Sequence, residues 1–182
     1  VYSTYLGGSY GDLAHDITVD DSGQVYIAGE TNSFKDFPTT QGVFQTSQGS
    51  GDYGEWDAFI SKLSTDGSTL IYSSYLGGSG REWCSGIVID TNGNAYVAGS
   101  SASGEDFPII QGAFQPTQAG GEYDGFIIKL KQHGSALIYS TFLGGNEIDF
   151  INSMALDKAG CVYLSGYTYS DIDFPITSNV IQ

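Results

Sequence analysis

The apolar positions of the chain form short blocks that are separated by turns containing glycine. Residues 25–28 (Val-Tyr-Ile-Ala) and 58–60 (Ala-Phe-Ile) are nearly continuous apolar runs that do not alternate strictly with polar residues. Short continuous runs that are rich in aromatic and β-branched residues predict strands whose two sheet faces are both covered. The pattern therefore predicts an all-β chain made of small sheets that are shielded on both sides.

Each full unit of the chain holds four strand-like segments. In the first unit they are residues 16–20, 25–29, 57–63 and 70–76. Gly23 lies in the turn between the first two segments, where glycine accepts the backbone conformations that a tight turn requires. Four consecutive short strands joined in this way predict an antiparallel meander.

The sequence repeats itself at intervals of 70 and then 67 residues. Residues 1–8 return as 71–78 and again as 138–145, and residues 1–45 match 71–115 at 21 of 45 positions without gaps. This self-similarity is too high to result from composition. Four-stranded sheets that recur at this spacing and are covered on both faces predict β-propeller blades, packed face to face around an axis.

The repeat divides the chain into three units. Residues 1–70 form a first blade repeat that opens with a fourth-type strand of the preceding blade, 71–137 form a second, and 138–182 form a partial third. With a fourth-type strand near residues 2–6, the pattern predicts eleven strands in about 2.7 repeats. A closed propeller needs about four to eight blades, so we expect an incomplete ring. Either further blades of a longer chain or neighbouring copies then complete it, and copies that join without closing form a filament.

Several motifs within the unit are specific. They are Tyr-Ser-Thr-Tyr-Leu-Gly-Gly at 2–8, Asp-x-x-Gly-x-x-Tyr-x-x-Gly at 20–29, Asp-Phe-Pro at 36–38 and Asp-Ala-Phe-Ile-x-Lys-Leu at 57–63. With these motifs the chain resembles the SBBP-type (seven-bladed) β-propeller repeat over essentially its whole length. The resemblance implies a propeller, usually within large secreted or surface proteins of bacteria and archaea. It implies no activity, because the family has no catalytic residues that could be carried over.

Charge limits the classes of partner. The chain has 21 acidic side chains against 6 Lys and Arg, for a net charge of −15. Such a surface repels phosphate backbones and anionic lipids, so we expect no nucleic-acid partner and no membrane insertion.

Cys84 and Cys161 are too few for a disulfide framework, and whether they pair across neighbouring blades stays open. The chain begins at Val1 without a signal peptide, so we expect a processed product or a segment of something longer.

Three motifs look like parts of enzymes but lack the required context. Residues 7–11 match G-x-S-x-G and residues 49–54 match G-x-G-x-x-G, yet neither is followed by a predicted helix. His15 could be drawn as a base oriented by Asp12 or Asp16, but the other units lack this histidine, and a lone loop histidine is the simpler interpretation. The sequence therefore predicts no catalytic residues.

Six aspartates recur in turns and are the candidates for a metal site. Two turns resemble fragments of calcium loops, and a third position precedes Phe-Pro in every unit. The candidate residues are Asp20, Asp21, Asp36, Asp90, Asp106 and Asp173. Asp before Gly also suits an ordinary turn, through side chain to backbone hydrogen bonds. We therefore predict no cofactor, and Ca²⁺ is the alternative that these carboxylates leave open.

Aromatic residues beside charged ones are the candidates for ligand binding. Tyr53, Trp56 and Tyr123 lie in the long connections, and Trp83 follows Arg81 and Glu82. Aromatic rings can bind sugars, although packing is the commoner role. The function that we predict is a non-enzymatic structural or assembly module, extracellular or at the cell surface, which associates with itself or with further blades. The alternative is a surface module that binds glycans or proteins through its blade-edge loops.

Overall fold

The computed structural model describes residues 1–49 and 54–178. These residues form ten β-strands and one short 3-10 helix, Gly104–Asp106. The strands are β1 Asp12–Val19, β2 Val25–Thr31, β3 Asp57–Leu63, β4 Leu70–Leu76, β5 Glu82–Ile89, β6 Ala95–Ser101, β7 Asp124–Leu130, β8 Leu137–Leu143, β9 Asp149–Leu156 and β10 Val162–Thr168.

The strands form three antiparallel sheets. The first has the order β1-β2-β3-β4, the second has the order β5-β6-β7-β8, and the third pairs β9 with β10. Each sheet is a meander, because every strand pairs with the strand that follows it along the chain. The predicted all-β fold is thus confirmed as an incomplete β-propeller, with two four-stranded blades and part of a third. The prediction of seven blades for the whole ring stays a prediction.

The structure has no strand at residues 2–6, and the prediction that this segment belongs to a preceding blade stays a prediction. The segment before β1 forms no strand, and Tyr5 is fully exposed. In the two complete sheets, a fourth strand pairs only with the third strand of the same sheet. Among the described residues, no third strand lies beside residues 2–6, so their backbone groups have no ladder to join. Leu6 nevertheless packs against the first sheet, beside Phe37 and Tyr75.

The sheets pack face to face, and the first strand of each sheet lies nearest to its neighbours. β5 contacts β1, β2 and β3 of the preceding sheet, and β9 contacts β5, β6 and β7. One continuous apolar cluster fills the junction between the first two sheets. It contains Tyr26, Ile60 and Tyr72 from the first sheet and Ile87 and Phe126 from the second. Burial of both faces of the sheets, which the apolar runs predict, follows from this stacking.

In the first two repeats, the phenylalanine of the Asp-Phe-Pro motif packs on the face of its own sheet. Phe107 lies 4.9 Å from Phe126 of β7 and 5.1 Å from Phe142 of β8, measured between ring centroids. In the first sheet, Phe37 packs in the same way against Phe59 and Tyr75. In the second sheet, this aromatic layer belongs to the apolar cluster that fills the junction with the first sheet.

Two further observations bear on the environment of the chain. Both cysteines are free, and Cys84 is buried whereas Cys161 is exposed. Within residues 1–49 and 54–178, the structure has no helix of the length and apolar character that a bilayer crossing requires.

Candidate functional site

The first strand of each sheet carries a β-bulge at the same place. The register shifts between Ala14 and Asp16 in β1 and between Cys84 and Gly86 in β5. The extra residue in β1 is therefore His15. A bulge leaves one residue without a partner in the ladder and redirects its side chain. The side chain of His15 points to the end of β2, where it approaches Glu30.

Glu30 is the centre of a charged cluster between the first two sheets. Its side chain is fully buried, and Arg81 Nη2 lies 3.2 Å from Oε1 and 3.1 Å from Oε2. His15 Nε2 lies 3.4 Å from Glu30 Oε1. A buried carboxylate needs a partner of opposite charge, and Arg81 supplies it from the segment that leads into β5. The ion pair therefore ties the first sheet to the second.

Aromatic rings surround this ion pair. The ring of His15 stacks on that of Trp83 with centroids 5.3 Å apart. The Arg81 guanidinium lies 5.2 Å from the Trp83 ring centroid and 5.7 Å from that of Trp56. A guanidinium above an aromatic face is attracted by the ring quadrupole. The orientation of Arg81 is therefore set by the Glu30 carboxylate and by the two tryptophan rings.

A cleft of about 360 Å³ opens beside this cluster, between the second and third sheets. It is lined mainly by aromatic and polar side chains: Arg81, Trp83, Tyr123, Phe150, Asn152 and Tyr167. The centroid of Phe150 lies 5.3 Å from that of Tyr123 and 5.3 Å from that of Tyr167. Burial and the nearby Glu122 carboxylate raise the pKa of Tyr123, so its hydroxyl stays protonated and can donate a hydrogen bond. Such a surface is chemically suited to bind a flat or ring-shaped ligand.

The structure brings together three of the four aromatic residues that the sequence selects. Trp56 and Trp83 flank Arg81, and Tyr123 lines the cleft on the other side of Trp83. Tyr53 lies outside the described residues. Trp56 and Tyr123 also occupy equivalent places in successive repeats. The Trp56 backbone carbonyl accepts a hydrogen bond from the Glu82 N–H at 2.7 Å, and the Tyr123 carbonyl accepts one from the Asp149 N–H at 2.8 Å.

Sequence reasoning missed four residues of this surface. They are Glu30, Arg81, Phe150 and Tyr167. A signal for the first two was available, because Glu30 and Arg81 are charged at positions where another unit has Ser100 or Ile148. Two unmatched charges of opposite sign in successive repeats indicate a contact between them.

Buried carboxyl groups also recur at the junctions. Asp57, Glu82 and Asp124 are fully buried. Burial, reinforced by a neighbouring carboxylate, raises the pKa of Asp57 to about 7 and that of Glu82 to about 8. For the same reason the pKa of Asp124 rises to about 6. Asp57 and Glu82 thus hold protons near neutral pH, and Asp124 holds one at mildly acidic pH, because desolvation disfavours the charged form of each group.

Comparison with known families matches this repeating arrangement. A family model described as "SBBP: Beta-propeller repeat" matches residues 1–38, 71–108 and 138–173, which together make up more than half of the chain. The chain belongs to the SBBP β-propeller repeat family. Among curated proteins, none matches the chain.

Two candidate metal ligands of the SBBP repeats form ion pairs with lysines. Asp20 lies 3.4 Å from Lys62 Nζ, and Asp90 lies 3.0 Å from Lys129 Nζ. Burial works to raise the pKa of Asp20, but the Gln24 backbone N–H and the Lys62 ammonium outweigh it and lower this pKa. Asp21 is exposed. In the first two repeats, the ion pairs give the acidic residue at this turn a role that does not involve a metal.

The other three candidate metal ligands hold the Gly-Gly turn of their repeat. Asp36 accepts a hydrogen bond from the Ser9 backbone N–H at 2.9 Å, and Asp106 accepts one from the Ser79 N–H at 3.0 Å. Asp173 accepts the equivalent bond from Asn146 at 3.2 Å. Within the part of the chain that the structure describes, no three His, Cys, Asp or Glu side chains are grouped to hold a metal ion. The absence of a cofactor, with Ca²⁺ as the alternative, stays a prediction.

The enzyme-like motifs of the sequence are placed as follows. Residues 7–11 lead directly into strand β1. Most of the second motif, at residues 50–53, lies outside the described residues. His15 is wrongly predicted as a loop residue, because the bulge keeps it within β1, and it contacts Glu30 rather than Asp12 or Asp16.

Proposed function

We propose that the chain is a non-enzymatic structural module of an extracellular or cell-surface β-propeller, whose end faces are covered by further blades or by neighbouring copies. The observation that carries this proposal is a contrast between equivalent residues. Ile87 of β5 is 2% exposed, because the first sheet covers it, whereas Ile17 at the equivalent place in β1 is 62% exposed. The same side chain is thus core in one blade and surface in another.

The opposite end of the array repeats this contrast. Tyr26 and Tyr96, in the second strands of the first two sheets, are 0% and 7% exposed. Tyr163 of β10 is 59% exposed. Leaving large apolar groups in water is unfavourable by about 25 cal/mol per Å². Both end faces therefore have the composition of a blade junction, and blades that cover them would be stabilised by the same burial.

Other features support a structural and extracellular role. The recurring polar side chains, such as Ser33 and Asp36, are used in hydrogen bonds that hold turns. The net charge of −15 suits a soluble surface protein that carries many tyrosines. Large secreted or surface proteins are also the context that the family resemblance implies.

Sedimentation velocity of the 182-residue chain tests the proposal. We expect association that increases with protein concentration and decreases in Ile17→Lys and Tyr163→Lys. Ile172→Lys is the matched control, because Ile172 is also an exposed large apolar residue but occupies a place where the other repeats have Lys35 and Glu105. A chain that stays monomeric at all concentrations, with no difference among these variants, contradicts the proposal.

A second candidate function is binding of a glycan or another ring-shaped ligand. The aromatic cleft beside Arg81 is the observation that favours it. A glycan array probed with the wild-type chain and with Trp83→Ala tests this function, with Ile172→Ala as the control. Binding that is lost only in Trp83→Ala supports a glycan site, and no binding above background contradicts it.

A further inference from the structure

The outer edge of β10 differs from the equivalent edges in the other two sheets. β2 pairs with β1 on one side and β3 on the other, and β6 likewise pairs with β5 and β7. Among the residues that the structure describes, β10 pairs with β9 alone. Its outer backbone groups are therefore available for a ladder with another strand.

This edge carries two members of a three-residue contact between an acid, a tyrosine and a lysine, which is complete in the other two sheets. In the first sheet, Lys62 pairs with Tyr26 in register, and its Nζ lies 3.4 Å from Asp20 and 4.4 Å from the Tyr26 ring centroid. Lys129 makes the same contacts in the second sheet, 3.0 Å from Asp90 and 4.5 Å from the Tyr96 centroid.

The third sheet has the acid and the tyrosine of this contact. The Tyr163 hydroxyl donates a hydrogen bond to Asp157 Oδ2 at 3.2 Å. Tyr163 is exposed and Asp157 is half-buried, and among the described residues no lysine bridges them. The arrangement is therefore complementary to a cation presented by a strand beside β10.

One half of a recurring aromatic contact lies at the same edge. Phe59 pairs with Gly29 in register and packs 4.7 Å from Phe37, and Phe126 pairs with Gly99 and packs 4.9 Å from Phe107. Gly166 and Phe174 are the equivalents of these glycines and motif phenylalanines. They line an open cavity of about 270 Å³, together with Leu143, Leu164 and Tyr167.

The two incomplete contacts on β10 have the same spacing along the strand as the two complete contacts in each of the other sheets. Gly166 and Tyr163 are three residues apart on β10, as are Phe59 and Lys62 on β3 and Phe126 and Lys129 on β7. We propose that the outer edge of β10 binds an extended antiparallel strand of sequence Phe-x-x-Lys, with Phe opposite Gly166 in the cavity and Lys opposite Tyr163 beside Asp157. This inference rests on the proposed function and identifies the element of a further blade that β10 receives.

The occupant is the third strand of a further repeat. A folded second copy cannot donate β3 or β7, because each of these strands is already paired on both edges. The segment at residues 2–6 resembles a fourth strand, and fourth strands pair with third strands rather than with second strands. Only a third-type strand brings both Phe and Lys to the positions that β10 leaves open.

A labelled peptide with the sequence of residues 122–131 provides the probe. Its fluorescence anisotropy is measured during titration with the 182-residue chain, and we expect saturable binding. Changing Lys129→Met in the peptide should weaken binding about 3- to 10-fold, and Phe126→Ala should weaken it about tenfold or more. Asp157→Asn in the protein should weaken binding of the wild-type peptide but cause no further loss with the Lys129→Met peptide. Asn has nearly the same shape as Asp and Asp157 is only half-buried, so this variant is expected to fold, which circular dichroism verifies.

Disulfide trapping tests the register independently. Cys161 is exposed and immediately precedes β10, whereas Cys84 is buried and unreactive. In the second sheet Ala95 pairs with Leu130, so the preceding Asn94, the equivalent of Cys161, lies opposite Lys131. A peptide with Lys131→Cys should therefore form a disulfide with Cys161, since directly opposed residues in a sheet have Cα atoms about 4.5–5.5 Å apart. A peptide with Leu130→Cys, one position out of register, is the matched control and should be trapped less.

Two results overturn this inference. One is the absence of saturable binding together with equal trapping of the two cysteine peptides. The other is binding that Lys129→Met, Phe126→Ala and Asp157→Asn leave unchanged. If the peptide fails while sedimentation still shows association that Ile17→Lys reduces, the strand-pairing inference is wrong and the proposed function stands. If the peptide binds in register but the chain never associates, the inference stands, and completion by neighbouring copies is wrong.

Discussion

Asp57 and Glu82 link the stability of the first blade junction to pH. A Cβ on Gly77 would lie 2.8 Å from Asp57 Oδ2 and would overlap Glu82 Oε2, so the two carboxyl groups face each other across this glycine. Asp57 Oδ2 accepts a hydrogen bond from the Gly49 N–H at 2.8 Å, whereas the buried Oδ1 has no partner among the described residues. A proton on one of the two groups removes the repulsion between them.

The direction of the effect follows from the raised pKa values. In the folded chain the pKa is about 7 for Asp57 and about 8 for Glu82, against ordinary values of 3.8 and 4.5. Between the ordinary and the raised pKa the folded state binds more protons than the unfolded state, so the unfolding free energy decreases as pH rises. Each proton contributes about 1.4 kcal/mol per pH unit, so the Asp57 proton alone gives a loss of about 3 kcal/mol between pH 5 and pH 8, to which the Glu82 proton adds.

Urea unfolding at constant ionic strength measures this loss, with Trp56 and Trp83 as fluorescent reporters near the junction. We expect wild-type stability to fall between pH 5 and pH 8. Asp57→Asn mimics the protonated acid and should reduce the slope by the Asp57 share, while Glu82, whose pKa is raised mainly by burial, still titrates. Asp66→Asn is the control: Asp66 is exposed, and hydrogen bonds from Ser64 and Ser68 lower its pKa to about 2, so it titrates outside this interval. A flat or rising wild-type profile, or an unchanged slope in Asp57→Asn, would refute the reasoning.

Three further predictions concern the junctions. Phe107→Ala removes a buried ring from the aromatic layer and should lower the urea unfolding free energy by about 3–5 kcal/mol, whereas a loss below about 1 kcal/mol would contradict its packing role. Arg81→Met leaves Glu30 buried without its Arg81 partner and should lower the urea unfolding free energy by about 3–5 kcal/mol. Adding Glu30→Gln to this variant should restore most of that loss, and additive effects of the two changes would count against a direct pair. Gly99→Ala places a methyl group on the Trp83 backbone oxygen and should prevent a sharp unfolding transition, so near-wild-type cooperativity would show that the bulge relaxes.

The strands of the complete blades are predictable because local signals define them. The apolar runs at residues 57–63 and 70–76 are bounded by Asp57 and by the turn at Gly67, and the structure has β3 and β4 at these residues. The segment at residues 2–6 carries the same local pattern but forms no strand. A strand also requires a neighbour, and local sequence does not contain that information.

The charged and aromatic surface could be predicted only in part. Tryptophans beside charges are visible in the sequence, so Trp56 and Trp83 are found. The pairing of Glu30 with Arg81 depends on how two sheets stack, which places residues 51 positions apart in contact. His15 depends on a bulge, and the alternation of a strand does not reveal where the register shifts.

The Gly-Gly turns have a consequence for how such arrays change during evolution. Each turn is held by its own blade, since Asp12, Ser33 and Asp36 all bond to backbone N–H groups of residues 8–10. A unit that begins at this turn includes the side chains that hold the turn. Gene duplication or deletion in steps of one unit therefore preserves the turn that connects one blade to the next. Glu30 and Arg81 are an exception, because separating their two units would leave a buried charge unmatched. This pair therefore fixes the order of the first two blades in any rearranged gene.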